Sequence, residues 1–441
     1  MREVRAWRRM AALVIPMLAV VAACGGEGAA TPQPGTGKGT IKVWAHQGQE
    51  GEVKALQDAV ADFNKSQGDV KAKLQFIPEA DYPKTIAVTK PSGLPDVLEF
   101  DGTLVSSLVY SYKLAPLQGL VAPATVANQT DSVKAENTYP GDGKLYGVAM
   151  FDSGLGMYGN RKLLDAAGVK YPTSLGDDWT ADQFQSALAA LAAKDSDGKV
   201  LDIKENYGGE WPTYGFLPVL YSTGSVVIKD NRAEGNLNSP KVVRAVEQFA
   251  GWRKYVDANT DDKAFVNGRV ALSWVGHWLY NDYAKALGKN LVVLPLPNFG
   301  DGPKSGQGSL SWGISPRTKN AKAAAKFLDF LMSDGPVTAM TDANAAPPGT
   351  KTVAAKSKLY KPGGPLELFA QQLQETCGTG APTTSCVATP RPVSAAYGII
   401  SQEFSKAFFS AYNGGDAQAQ LDKAARAIDL DFKDNDDYGL R

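Results

Sequence analysis

An excess of charge of either sign is absent from this sequence of 441 residues, and histidine is almost absent. It contains 46 basic and 46 acidic residues, so the formal net charge is zero. Nucleic-acid-binding proteins usually carry a basic surface, and the charge balance therefore argues against such a partner. The two histidines, His46 and His277, exclude a multi-histidine metal site and argue against a histidine-based triad. We accordingly predict no metal and no cofactor.

Long hydrophobic runs are equally scarce. The apolar run at residues 11–23 is too short to span a bilayer. It follows four arginines, Arg2, Arg5, Arg8 and Arg9, and it ends in small residues. This order of charge, apolar run and small residues is typical of an export signal. We predict that residues 1–23 are a signal peptide and that the chain has no membrane-spanning segment.

Cysteine is the third scarce residue, with three in the chain. Cys24 stands in the sequence Val-Ala-Ala-Cys-Gly, which resembles the lipobox of bacterial lipoproteins and implies cleavage before Cys24 and its acylation. An ordinary signal peptide with an incidental cysteine is the alternative. Residues 24–39 are rich in glycine, proline and threonine and predict a flexible tether.

The other two cysteines, Cys377 and Cys386, close a short loop, CGTGAPTTSC. Cysteines of an exported chain are expected to be oxidised, so we predict a disulfide between them. Their spacing is not the Cys-x-x-Cys of a catalytic dithiol, which favours a structural clamp.

Three short motifs resemble ligand-binding loops but lack the required context. Residues 34–40, PGTGKGT, resemble a phosphate loop, yet a linker precedes them and a strand follows. Gly154-x-Gly156-x-x-Gly159 matches a dinucleotide fingerprint, but the predicted helix after it stops at Gly168 and leads into a loop. The Asp-x-Asp-Gly at residues 195–198 lacks the later ligands of a calcium loop, which favours a solvated turn.

The length and the order of elements predict a two-lobed α/β protein. A chain of this length exceeds one ordinary core and suits two lobes of about 150–200 residues. Strands are predicted near residues 41–44, 70–76 and 95–101, with an amphipathic helix at about residues 53–65. This alternation is typical of mostly parallel sheets flanked by helices, which bind ligands beyond the carboxyl ends of their strands. Asp101 stands at such an end.

Residues 145–168 predict a crossing between the lobes. An apolar run at residues 145–151 suits a buried strand and is broken at Asp152. A second extended piece, residues 155–158, leads into a short helix at residues 161–167. A strand that stops, presents an aspartate and starts again suggests that the chain changes lobes here, and we hypothesise that a ligand binds at such crossings.

The order and spacing of several short motifs resemble the extracellular solute-binding proteins of ABC sugar importers, of the maltose/trehalose type. The motifs are the lipobox and tether, Trp44 after the first strand, PDV at 95–97, LYGV at 145–148, NRKLL at 160–164, GHW at 276–278, WGI at 312–314 and RP at 391–392. The resemblance implies a periplasmic-binding-protein-like fold with three hinge crossovers, near Asp152, Trp312 and Ala355. Lobe 1 would comprise residues 40–151 and 313–355, and lobe 2 would comprise residues 152–312 and 356–441.

The resemblance also implies a ligand-binding set. Its members, by position in the motifs, are Glu50, Asp101, Asp152, Trp211, Trp278, Trp312, Gly313 and Arg391. His46 is an alternative to Glu50, and Tyr214 accompanies Trp211. His277 stands where the family has a proline, so the stacking role of Trp278 departs from the pattern.

The chemistry of these residue types suits a sugar. Carboxylates and arginine form charge-assisted hydrogen bonds with hydroxyls, and tryptophan covers the apolar faces of sugar rings. Structural roles are the alternatives: a core position for each tryptophan, a turn cap for Asp152 and a surface ion pair for Arg391.

We therefore expect a binding protein without enzymatic activity, anchored by lipid to the outer face of a bacterial cytoplasmic membrane. As a monomer, it would capture a sugar, expected to be a di- or oligosaccharide, and deliver it to the membrane permease of an ABC transporter. The alternatives are an exported glycoside hydrolase, which would need two carboxyls facing one bond, and a binder of a non-sugar solute.

Overall fold

A computed structural model describes residues 30–258, 261–308 and 310–439 of the chain, without the side chain of Ala80. The predicted signal peptide, residues 1–23, and the predicted lipidation site, Cys24, lie outside these residues. Within the described ranges, no helix is both long enough and apolar enough to cross a membrane.

Within the described ranges, ten strands form two four-stranded sheets and one two-stranded sheet. They are β1 (Gly39–Gln47), β2 (Val70–Pro78), β3 (Val97–Asp101), β4 (Leu155–Asn160), β5 (Leu201–Asp202), β6 (Leu272–Gly276), β7 (Leu291–Leu294), β8 (Ser305–Gln307), β9 (Leu310–Ile314) and β10 (Ala388–Pro390). The first sheet has the order β2-β1-β3-β9, the second has the order β5-β6-β4-β7, and β8 pairs with β10. The two larger sheets define the two lobes.

Sixteen α-helices surround the sheets in the part of the chain that is described. Those of the first lobe are α1 (Glu50–Ser66), α2 (Tyr82–Val88), α3 (Val105–Tyr110), α4 (Pro123–Asn128), α5 (Asp131–Asn137), α11 (Ala321–Leu331), α12 (Asp334–Asn344) and α13 (Lys351–Ala354). Those of the second lobe are α6 (Arg161–Ala166), α7 (Ala181–Ala192), α8 (Trp211–Tyr221), α9 (Pro240–Ala250), α10 (Tyr280–Leu287), α14 (Glu367–Gln374), α15 (Tyr397–Tyr412) and α16 (Ala417–Asp434).

The strand directions confirm the predicted mostly parallel sheet in the first lobe only. There, β1 runs parallel to β2 and β3, and β9 runs antiparallel to β3. In the second lobe β4 is antiparallel to both β6 and β7, and only β5 and β6 are parallel. The expectation was wrong for this sheet because β4 pairs with strands more than a hundred residues away, whose direction the local pattern does not determine.

Apolar packing buries α8 and part of α16 in the second lobe. α8 is buried almost throughout its length. Phe216 of α8 stacks on Phe408 of α15 with ring centroids 5.0 Å apart. α16 ends in acidic residues, yet its Phe432 is buried and its Asp429 accepts a hydrogen bond from the Ala233 N–H.

The order of the strands shows where the chain passes between the two larger sheets. Residues 145–151, predicted to be a buried strand, form only isolated β-bridges, and Val148 exchanges backbone hydrogen bonds with Trp312. Because β9 belongs entirely to the first sheet, the second crossing precedes Leu310, so residues 310–312 lie in lobe 1 and not in lobe 2 as expected. The third lies between α13 in the first lobe and Leu366 in the second-lobe core, a span that includes Ala355.

The sulfurs of Cys377 and Cys386 are 2.04 Å apart, as the predicted disulfide requires.

A buried ion pair lies at the carboxyl end of β1. His46 Nδ1 is 2.6 Å from Glu99 Oε2, and His46 Nε2 is 3.6 Å from Glu79 Oε2. Burial by itself would lower the pKa of His46, but the charge and hydrogen bond of Glu99, together with the charges of Glu79 and Glu52, raise it to about 9. The imidazole is therefore protonated at neutral pH.

We expect this pair to make stability fall as the pH rises from about 6.5 to about 9. Histidine in the unfolded chain has a pKa of about 6.5, so the stabilisation is complete below that pH and is lost as the pH passes the folded-state pKa. The gap between the two pKa values corresponds to about 3 kcal/mol at most. Urea denaturation at about pH 6 and about pH 9.5 measures the loss.

Two variants control for other titrating groups. His46→Gln/Glu99→Gln should lose most of this pH dependence, because neither member of the pair then carries a charge. His277→Gln should keep the fall in stability and make it slightly larger. Burial lowers the pKa of His277 to about 4, so the ring is neutral in the folded protein, and the proton that the unfolded chain takes up near pH 6.5 opposes the fall slightly. Equal pH dependence in the double variant and the unmodified protein would contradict the assignment.

Candidate functional site

Arg391 lies at the boundary between the lobes and joins them by ion pairs. It follows β10 directly, and only 5% of its side chain is exposed. Nη2 donates to Asp101 Oδ1 of the first lobe at 2.7 Å, and Nη1 donates to Glu210 Oε2 of the second lobe at 3.2 Å. The structure therefore brings the two predicted residues Asp101 and Arg391 into contact, and Glu210 joins them.

Neighbouring side chains hold the two carboxylates. Asp101 Oδ1 accepts hydrogen bonds from the Thr103 N–H at 3.2 Å and the Thr103 hydroxyl at 3.0 Å. Glu210 accepts hydrogen bonds from the hydroxyls of Ser401 and Tyr397. These contacts orient both carboxylates towards the guanidinium.

The environment of Arg391 favours its charged form. Burial opposes the charge, but Asp101, Tyr397, Glu210 and Glu136 outweigh that effect and raise the pKa of the guanidinium further. The guanidinium carbon also lies 4.9 Å from the centroid of the Tyr214 ring. Arg391 Nε is buried and has no hydrogen-bond partner among the described residues, so one donor remains for a bound molecule.

Aromatic rings form a surface beside Arg391. Trp278, in a short 3₁₀ turn after β6, is partly exposed. Its ring centroid is 6.0 Å from that of Trp211 and 6.2 Å from that of Tyr214, which connects this surface to Arg391. Gly276 allows the arrangement, since a Cβ there would lie 2.1 Å from the Trp278 ring.

Trp211 is less available than Trp278. Only 6% of Trp211 is exposed, and its Nε1 donates to the Ile203 carbonyl at 3.2 Å. Trp278 therefore exposes more of its ring than Trp211 does, and the two rings pack edge to face.

A cavity of about 970 Å³ adjoins Arg391. Its lining includes Pro390, Arg391 and Pro392, residues 224–231, and residues 378–382 of the disulfide loop. Pro140 contributes from the first lobe. Arg391 is thus shared between the ion pairs and this cavity, whereas Asp101, Glu210 and Trp278 are not among the residues that line it.

Asp152 is buried at the hinge and does not contact Arg391. Its Oδ1 accepts hydrogen bonds from the N–H groups of Ser153 at 2.7 Å and Gly308 at 3.2 Å. Burial raises the pKa of Asp152, and hydrogen bonds from Ser132, Ser153 and Gly308 oppose that rise. It also lines a separate cavity of about 440 Å³ between the lobes. The carboxylate thus connects the first and second crossings.

His277 is also buried near the hinge. It stands where the family that the sequence resembles has a proline. Its Nε2 is 3.0 Å from Ser153 Oγ, and its Nδ1 is 3.2 Å from the Asn344 carbonyl oxygen. Only 2% of His277 is exposed. The pair differs from a catalytic serine–histidine pair, because the third partner is a backbone carbonyl and the ring is buried.

Besides Asp152, three more of the predicted ligand contacts are not brought to this site. Trp312 is 1% exposed and lies in the first-lobe core, because its side chain packs beneath the sheet to which β9 belongs. Gly313 faces inward, since a Cβ there would lie 2.7 Å from Leu114. Glu50 is exposed at the start of α1 and is not among the residues around Arg391.

Sequence reasoning missed Glu210 and Tyr397. Glu210 directly precedes Trp211 and Pro212, so its position beside a predicted aromatic contact was a usable signal. Tyr397 carried no such signal, because α15 brings it to Glu210 only in the folded chain.

Comparisons with known proteins agree with this architecture. A maltooligosaccharide ABC transporter solute-binding lipoprotein of Streptococcus pneumoniae is 24% identical over 329 residues, which cover 71% of this chain and 73% of that protein. The melibiose/raffinose/stachyose-binding protein MelE of Bacillus subtilis is 23% identical over 344 residues, which cover 73% and 76%. Both relatives are binding proteins by name.

Solved structures share the two-lobed fold. The cyclic alpha-maltosyl-1,6-maltose binding protein of Arthrobacter globiformis has a TM-score of 0.72 at 21% identity, covering 90% of this chain and 100% of that chain. The sugar-binding protein MalE of Xanthomonas citri has a TM-score of 0.72 at 18% identity, covering 90% and 98%. A family profile described as bacterial extracellular solute-binding protein matches residues 58–363, more than two thirds of the sequence. The chain belongs to this family of bacterial extracellular solute-binding proteins.

Proposed function

We propose that this protein captures a di- or oligosaccharide between its lobes and delivers it, chemically unchanged, to the permease of an ABC transporter. The observation that carries the proposal is the Arg391–Asp101 ion pair, which spans the lobes beside an aromatic surface. A ligand at this place touches both lobes at once. It can therefore stabilise the closed form by binding it more tightly than the open form.

The chemistry of the site matches a sugar. Asp101, Glu210 and Arg391 offer charged partners for hydroxyl groups, and Arg391 Nε supplies a donor that lacks a partner among the described residues. The exposed part of the Trp278 ring can cover the apolar face of a sugar ring. The adjoining cavity of about 970 Å³ is at the upper end of the range of small-molecule sites, which favours a chain of several units.

The similar proteins support the same ligand class. The Streptococcus pneumoniae relative is named for maltooligosaccharide, and the Bacillus subtilis relative is named for melibiose, raffinose and stachyose. The names of both relatives refer to sugars of two or more units.

The cellular setting follows from the N-terminus and the family. The family is extracellular, which implies a position outside the cytoplasm. We infer that acylation of Cys24 anchors the protein to the outer face of the cytoplasmic membrane. Residues 24–39 would then form a flexible tether between the lipid anchor and the lobes. A monomer with this anchor could present its sugar to the permease subunits.

We expect a selective rise in melting temperature when residues 40–441 are heated with the right saccharide. The panel contains glucose, galactose, maltose, melibiose, raffinose, stachyose and maltotetraose, with tripeptides and glycerophosphocholine as controls. A ligand at about one hundred times its dissociation constant adds about 2.7 kcal/mol of stability. Chromatography of the recovered sugar tests whether it is unchanged.

Two results would contradict the proposal. A shift with tripeptides or glycerophosphocholine, and none with any saccharide, would assign a non-sugar solute. Cleavage products would assign the protein as a glycoside hydrolase.

Asp101→Asn should weaken saccharide binding by about ten- to hundredfold, because a hydrogen bond to a charged group contributes about 1.5–3 kcal/mol. Isothermal titration calorimetry measures the dissociation constant. Asp58→Asn, an exposed position on α1, is the matched control and should leave the constant unchanged. An unaltered dissociation constant in folded Asp101→Asn would remove Asp101 from the site.

Trp278→Ala should weaken binding by about tenfold or more, since burying a large apolar side chain against a ligand contributes about 1.5–3 kcal/mol. Its melting temperature without sugar should change little, because the ring is partly exposed. Trp252→Phe alters a fully buried ring, so it should lower the melting temperature and leave the dissociation constant for the sugar unchanged. If Trp278→Ala lowers the melting temperature without weakening binding, this ring belongs to the core.

A further inference from the structure

The disulfide loop forms one wall of the cavity beside Arg391. Five consecutive residues at its tip, 378–382, line the cavity, and among them Thr379, Gly380 and Ala381 are exposed. The rest of the loop, residues 383–385, does not line it. One side of the loop therefore faces the space in which we place the ligand.

The base of the loop is held by backbone hydrogen bonds as well as by the disulfide. The Cys377 N–H donates to the Ala388 carbonyl at 2.8 Å, and the Val387 N–H donates to the Glu375 carbonyl at 2.7 Å. β10 itself pairs with β8 over three residues. The two ends of the loop would accordingly stay together if the sulfur–sulfur bond were broken.

The tip depends more on the disulfide than the base does. It contains Gly378, with a φ of 59°, and Gly380, and glycine loses the most conformational freedom when a chain segment is ordered. The Cys386 sulfur accepts a hydrogen bond from the Thr383 N–H at 3.2 Å, which ties the returning half of the loop to the bridge. Closing the loop covalently reduces the number of conformations that the tip can sample.

The loop and Arg391 stand at opposite ends of β10. Cys386 is five residues before Arg391, and the loop and the guanidinium line the same cavity. At about 970 Å³, this cavity is at the upper end of the range of small-molecule sites. A monosaccharide held at Arg391 would leave most of the cavity empty, whereas an oligosaccharide that runs along it would be bordered by the loop.

We propose that residues 378–382, ordered by the Cys377–Cys386 disulfide, contact the sugar units beyond the one bound at Arg391 and thereby select for oligosaccharides. This inference rests on the proposed carbohydrate binding. It adds the part of the site that distinguishes long sugar chains from short ones. It also makes the affinity for long ligands sensitive to reduction. A reductant that opens the disulfide leaves binding at Arg391 in place.

The first test compares the unmodified protein with Cys377→Ser/Cys386→Ser by calorimetry. Maltose, maltotriose and maltotetraose form one probe series, and melibiose, raffinose and stachyose form the other. The double variant should bind the disaccharide within about twofold of the unmodified protein and the tetrasaccharide about tenfold more weakly, a difference of about 1.4 kcal/mol. Dithiothreitol should reproduce this loss in the unmodified protein and have no effect on the double variant.

A second variant keeps the disulfide intact. It tests the role of the loop in oligosaccharide binding even if the double variant does not fold. Ala381→Trp places a large ring on the cavity side of the tip and should weaken tetrasaccharide binding by about tenfold while sparing the disaccharide. Ser385→Trp is the matched control, because Ser385 is exposed in the same loop but does not line the cavity. It should bind both sugars as the unmodified protein does.

The outcomes separate this inference from the function on which it rests. If the unmodified protein binds no saccharide of either series, the proposed function fails and this inference fails with it. If it binds tetrasaccharides and the variants bind them equally well, only the role of the loop is overturned. Equal weakening of disaccharide and tetrasaccharide in Ala381→Trp would also overturn it, because the loop would then support the whole site and not the far end.

Discussion

The compensation of one buried charge organises the region where the lobes meet. Arg391 is almost fully buried, and a buried cation is tolerated only when it is paired and hydrogen-bonded. Its two carboxylate partners come from different lobes, Asp101 at the end of β3 and Glu210 just before α8. Arg391 thus joins the lobes through these two carboxylates, and under the proposed function a ligand that bonds to the same groups stabilises the closed form.

A second group of buried polar residues holds the crossings themselves. Asp152 bonds to the N–H of Gly308, and His277 lies between Ser153 and the carbonyl of Asn344. These buried hydrogen bonds connect segments that meet at the hinge, and Asp152 also lines the smaller cavity between the lobes. His277 thus places a polar side chain in the interior at the hinge, while the adjacent Trp278 keeps a partly exposed ring.

The cavity beside Arg391 shows how one short strand can serve two purposes. β10 carries Arg391 at one end and the disulfide loop at the other, and its pairing with β8 fixes the distance between them. The ion pairs recognise charge and hydroxyl geometry at one point. The loop limits what can extend from that point, so affinity and length selection are carried by different residues.

The sequence by itself determined the elements with strong local patterns. The amphipathic period of α1, the alternation of β2, the cysteine spacing and the position of Asp101 at a strand end all depend on neighbours in the chain. The tertiary structure alone decided the antiparallel pairing of β4, the burial of Trp312 and the assembly of Glu210, Tyr397 and Arg391. These features depend on residues more than a hundred positions apart, and local periodicity carries no information about which distant segments pack together.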